Sequence, residues 1–138
     1  MSSESTESTG RAGLPAPPRL VLVVDDDASY RQLIRWALED EGWAVETAAD
    51  GQEARASANQ RLPSLAIVDV ALMNGNGIVL ADDLRRMYGG PLPIITITAD
   101  GHAEEKARQM RASSCLHKPF DLEALVAEVR RLLSVGAP

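Results

Sequence analysis

Of 138 residues, one is cysteine, one is phenylalanine, two are histidine and two are lysine. The lone thiol, Cys115, excludes an intramolecular disulfide, and no cysteine and histidine set has the spacing of zinc ligands. Long apolar runs are also missing, since none approaches the roughly 20 residues that a bilayer-crossing helix needs. The opening MSSESTESTGRAG has neither the basic leader nor the apolar stretch of an export signal. Positive charge is scarce: 14 Lys and Arg stand against 20 Asp and Glu, a net charge of −6. That sign opposes the coating of a phosphate backbone. These absences set the expectation of a cytoplasmic protein in a reducing compartment, with no membrane partner and no direct contact with nucleic acid.

Apolar residues make up 45% of the chain and charged residues 25%, enough to build one core and to keep it soluble. Residues 1–18 hold six Ser or Thr, two Gly and three Pro, which predicts a disordered tail. A dense pattern covers residues 19–134, and residues 135–138 read as a fraying end. Within the dense part, short apolar runs alternate with helical periods. The runs begin at Leu20, Trp43, Leu65, Ile94 and Cys115. Between them, apolar residues step by three and four through Tyr30, Leu33, Ile34, Ala37 and Leu38, then through residues 51–61, then through Leu80, Ala81, Leu84 and Tyr88. A thin stripe of Ala103, Ala107 and Met110 follows, and Leu122, Leu125, Val126, Val129, Leu132 and Leu133 form the strongest. Five strand and helix units in succession predict an α/β domain with a parallel sheet covered on both faces, because parallel neighbours need crossover connections.

The polar residues of interest fall just after the strand runs: Asp25, Asp26 and Asp27, then Asp69, then Thr98 and Asp100, then His117 and Lys118. Such ends share one edge of an open parallel sheet, where ligands bind. Carboxylates about 4 Å apart repel by about 1 to 4 kcal/mol between water-like and protein-surface dielectric, so a cation must offset them. Oxygen donors without His or Cys select a hard cation, and Mg²⁺ fits. A lysine and a threonine at the same edge are groups suited to phosphoryl oxygens. The chain uses twelve arginines and only Lys106 and Lys118, so a lysine at 118 hints at a compact point charge on a flexible stem.

The segments VLVVDDDASYRQLIRWAL, LAIVDVALMNGNG, IITITAD and SSCLHKPFDLEALV, in this order and spacing, resemble the receiver domain of two-component response regulators. The resemblance covers residues 20–134. It implies a five-stranded parallel sheet of order 2-1-3-4-5, doubly wound in the flavodoxin-like manner. It also implies that Asp69 is the phosphoacceptor, attacking a phosphohistidine of a sensor histidine kinase or phosphotransfer protein, or a small phosphodonor. Asp26 and Asp69 would hold Mg²⁺ directly, with the backbone carbonyl of Ala71 as a third ligand and Asp25 acting through water. Lys118 and Thr98 would contact the phosphoryl oxygens, and the Lys118–Pro119 bond would be cis. The implied protein is a single-domain regulator, a monomer or a phosphorylation-dependent dimer, that signals to an unknown downstream protein and is not a turnover enzyme.

Three positions depart from the family pattern. Ala71 often carries a polar side chain there, and with Asp100 it flanks the path of hydrolytic water. Met73 stands where proline is usual, and Cys115 stands where an aromatic switch residue is usual. They keep open an alternative, a pseudo-receiver that binds partners without being phosphorylated. A flavin or nucleotide binder of the same topology lacks a glycine-rich loop after the first strand. Asp27 reads as a helix N-cap, Cys115 as a small buried hydrophobe, and Trp36 and Trp43 as packing residues. The thin fourth helical stripe predicts that residues 100–114 move on phosphorylation.

Overall fold

The computed structural model describes residues 18–71, 77–99 and 104–135. Residues 1–17 of the tail expected over 1–18, residues 136–138 of the end expected over 135–138, and Met73, Asp100 and His102 lie outside the described residues. Among the described residues ten elements alternate in chain order: β1 Leu20–Val24, α1 Ala28–Asp40, β2 Ala44–Ala48, α2 Gly51–Gln60, β3 Leu65–Asp69, α3 Gly77–Tyr88, β4 Ile94–Thr98, α4 Glu104–Gln109, β5 Ser114–His117 and α5 Leu122–Val135. The strands pair in parallel in the order 2-1-3-4-5, as expected.

Local chemistry sets the ends of the helices. Asp27 caps α1 by accepting a hydrogen bond from the Ser29 N–H at 2.9 Å. Gly42, at φ +101°, takes the left-handed turn that follows α1. Asp50 caps α2 by accepting from the Glu53 N–H at 2.8 Å, and Glu53 reaches back to the Ala49 N–H.

Alternation along the strands divides the core in two. Leu22, Val24, Ala66, Val68 and Ile94 face α2 and α3 through Ala54, Ala58, Leu80, Ala81 and Leu84. Val21, Val23, Ile67, Ile95 and Ile97 face α1 and α5 through Ile34, Leu38, Leu125, Val129 and Leu133. β1, β3 and β4 are buried along their whole length because both faces are covered. The chain winds from β1 outward to β2, then crosses back to β3. The reversal opens a crevice at the C-terminal ends of β1 and β3.

Packing expectations change at Cys115, Leu33, Trp36 and Tyr88, the last of which is exposed at the end of α3. Cys115 is only half-buried, because β5 is an edge strand with a neighbour on one side. Leu33, counted in the apolar stripe of α1, remains 46% exposed beside the 67% exposed Trp36.

Candidate functional site

The crevice gathers the residues that the sequence singled out. Asp25 follows β1 and Asp69 ends β3, and both are buried at the rim, while Asp26 beside them is exposed. One carboxylate oxygen from each of the three lies within 4.8 Å of the others. Thr98 ends β4 and is fully buried. The Lys118 N–H donates to the Thr98 carbonyl at 2.7 Å, which carries the β4 and β5 pairing one step further and places Lys118 over the same edge. The Lys118–Pro119 bond is cis, as expected. Ala71 lies just beyond Asp69.

The ammonium of Lys118 sits between two of the acids. Its Nζ donates to Asp69 Oδ2 at 2.9 Å and lies 2.8 Å from Asp25 Oδ2. The second contact is an ion pair with a fully buried oxygen, Asp25 Oδ2. The other oxygens are held by the backbone: Asp25 Oδ1 accepts from the Asp27 N–H at 2.9 Å, and Asp69 Oδ1 accepts from the Ala71 N–H at 2.8 Å. Burial pushes the Asp25 carboxyl above its ordinary value of 3.8, and the Lys118 ammonium and the Asp27 N–H oppose that rise. For Lys118, burial acts downward, but the two carboxylates outweigh it and hold the ammonium above its ordinary 10.5.

Three carboxylates against one ammonium leave two negative charges, the charge of one divalent cation. Octahedral Mg²⁺ at about 2.0 to 2.1 Å from its ligands spaces neighbouring oxygens by about 3 Å and opposite ones by about 4 Å. Oxygens already within 4.8 Å need little movement to meet that spacing. Asp25 Oδ2, buried beside the ammonium, keeps a lone pair that can accept from a coordinated water. By donor chemistry, charge and spacing, these residues fit the ion.

The sequence reading missed two neighbours of this cluster. Tyr30 was counted only as a core residue of α1, yet Lys118 Nζ lies 4.3 Å from the centroid of its ring. Arg31 donates from its guanidinium to the Asp25 carbonyl at 2.7 Å and ties α1 to the end of β1. Their place just after the acidic run is the one signal the sequence offers. His117 is exposed and points to no role in the cluster.

Comparison with known proteins places the chain in a family. Residues 21–130 match the response regulator receiver domain family. The probable transcriptional regulatory protein TcrX of Mycobacterium tuberculosis is 35% identical over 118 residues, 84% of this chain and 50% of TcrX. The phosphate regulon transcriptional regulatory protein PhoB of Rhizobium meliloti is 37% identical over 121 residues, 86% of this chain and 53% of PhoB. The chain spans about half the length of these curated relatives. Among solved structures, the chemotaxis response regulator CheY4 of Vibrio cholerae matches with a TM-score of 0.74 at 33% identity, covering 83% of this chain and 98% of CheY4. The receiver domain of NtrX from Brucella abortus matches with a TM-score of 0.73 at 32% identity, over 83% of this chain and 98% of that domain.

Proposed function

Because the chain belongs to the response regulator receiver domain family, we propose that Asp69 accepts a phosphoryl group. An oxygen of Asp69 forms a bond to phosphorus while the P–N bond of a kinase phosphohistidine breaks. The imidazole leaves with the electron pair and takes up a proton from solvent. With a small acyl phosphate, a P–O bond breaks instead and a carboxylate leaves. The observation that carries this reading is the ammonium of Lys118 set between Asp25 and Asp69 at 2.8 and 2.9 Å. The same ammonium can follow charge onto an incoming phosphoryl oxygen.

Asp26, Asp69 and the Ala71 carbonyl are proposed to hold Mg²⁺, with Asp25 acting through water. When bound, the ion supplies positive charge opposite the phosphoryl oxygens. Thr98, at the same edge, donates its hydroxyl to a phosphoryl oxygen once the group is in place. Receiver domains interact with histidine kinases and downstream effectors, and they are generally signalling phosphoacceptors, not turnover enzymes. For this chain we propose signalling through protein contact.

Incubation with Mg²⁺ and a small acyl phosphate tests the phosphoacceptor. Mass spectrometry is expected to find an added phosphoryl group on the wild type and none on Asp69→Ala. A wild type that gains none, from acyl phosphate or from a cognate kinase, would leave the unphosphorylated interaction module as the better reading.

A further inference from the structure

Tyr30 lies in the first turn of α1 and is half-buried. Its ring does two things at once. One contact is with Phe120, at 5.8 Å between centroids and a 40° tilt. The other is with the ammonium of Lys118, 4.3 Å from the ring centroid. A cation over a ring face at this range is drawn by the electron-rich face of the π-system, most strongly where water is excluded. Lys118 is such a case, with its side chain only 11% exposed.

A lysine stem is long and has many rotamers, so an ammonium at its end needs partners to stay in one place. Asp25 and Asp69 are two of them, but Asp69 changes its charge and shape when it takes up a phosphoryl group. The ring does not change. We propose that Tyr30 is a positioning residue for Lys118: packed against Phe120, the ring holds the ammonium over the crevice both before and after the phosphoryl group arrives. This rests on the phosphoacceptor reading above and adds a residue to that site.

Tyr30 also packs against the core shared by α1 and α5, so a test must separate the ring face from apolar bulk. Tyr30→Leu and Tyr30→Met keep the bulk and remove the face, whereas Tyr30→Phe keeps both. In the full chain at saturating Mg²⁺, the rate constant for phosphorylation by an acyl phosphate is expected to fall about 3- to 30-fold in the Leu and Met variants. The Phe variant is expected to restore the wild-type rate. In a Lys118→Met background, Tyr30→Leu is expected to add nothing, because its effect runs through the ammonium. Equal rates in wild type and Tyr30→Leu, or an equal drop in the Lys118→Met background, would overturn the proposal.

A second readout needs neither metal nor phosphodonor. The ε-methylene protons of Lys118 are expected to be shifted upfield by the ring current in the wild type and in Tyr30→Phe, and to relax toward ordinary values in the Leu and Met variants. Ordinary values in the wild type would dismiss the contact itself. A wild type that shows the ring-current shift but takes up no phosphoryl group would instead sink the phosphoacceptor reading, so the two failures are distinguishable.

Discussion

Three carboxylates and one ammonium share the rim of the sheet, and their separations decide how charge at position 69 affects stability. At an effective dielectric near 20, the 2.9 Å contact between Lys118 and Asp69 is worth about 6 kcal/mol of attraction, while repulsion from Asp25 and Asp26 across at most 4.8 Å sums to about 7 kcal/mol. Attraction and repulsion at position 69 are therefore of one size, and removing the charge relieves the crowding with Asp25 and Asp26. Asp69→Asn is expected to raise the metal-free Tm by about 4 °C, the equivalent of about 1 kcal/mol. It is also expected to abolish most of the rise in Tm that Mg²⁺ gives the wild type. Thermal melts in chelator and in Mg²⁺ measure both, and a lower metal-free Tm would mean that the acids are not crowded. Lys118 has the opposite role. Its folded value lies above its ordinary 10.5, so the folded state binds its proton more tightly than the unfolded chain does. The stabilisation is thus complete below 10.5 and is lost as the pH rises through the higher folded value. Lys118→Met is expected to cost about 3 kcal/mol at neutral pH, by leaving two buried carboxylates without a cation. Denaturant titrations across the alkaline range check the sign, since the gap to wild type is expected to close above pH 10.5.

At the scale of elements, α4 differs from its neighbours. It has six residues, and its anchors are Ala107 and the fully buried Met110 that follows it. Its C-terminal end is held from α3: the Arg85 guanidinium donates to the carbonyls of Met110 at 2.5 Å and Arg111 at 2.8 Å, and also to that of Leu92, just ahead of β4, at 3.3 Å. Few buried contacts and one side-chain clamp give low local stability. Amides of residues 104–114 are expected to exchange faster than those of α5, and their rates are expected to change when a phosphoryl mimic binds. Equal rates with and without the mimic would remove this segment from the response. The apolar stripe announced that α4 would be thin, but nothing in the sequence announced Arg85, whose partners are backbone carbonyls far along the chain. Patterns carry element type well for the same physical reason. The run of Leu20 to Val24 and that of Ile94 to Thr98 are apolar on both faces because both faces are covered, and Asp27 caps α1 because its side chain meets an N–H two residues on. Lateral position is less legible, since Leu33 and Cys115 have the composition of core residues and sit where one side of the element has no neighbour. The acids, Thr98 and Lys118 were legible because topology delivers strand ends to one edge. Tyr30 was not, because its period on α1 suits a core residue as well as a partner for Lys118.

For the molecule as a whole, the sheet is the shared wall of two cores. Residues on β1, β3 and β4 alternate between them, so Leu22 belongs to one core while its neighbours Val21 and Val23 belong to the other. A cavity opened on one side weakens strands that also form the other side, which argues that both cores unfold as one unit. Trp43 provides a local probe, because it packs against the core of α1 and α5. Leu84 is 1% exposed in the opposite core, against α2 and α3. Leu84→Ala is expected to cost about 2 to 5 kcal/mol. Tryptophan fluorescence and far-ultraviolet circular dichroism are expected to report the same lowered midpoint, although the substitution is on the far side of the sheet from Trp43. Mg²⁺ bound at the rim is expected to move both midpoints upward together, because Asp69 ends a strand common to the two cores. If fluorescence kept its wild-type midpoint while the circular dichroism moved, the cores would be separable, and charge at the crevice would stabilise only the face to which it is joined.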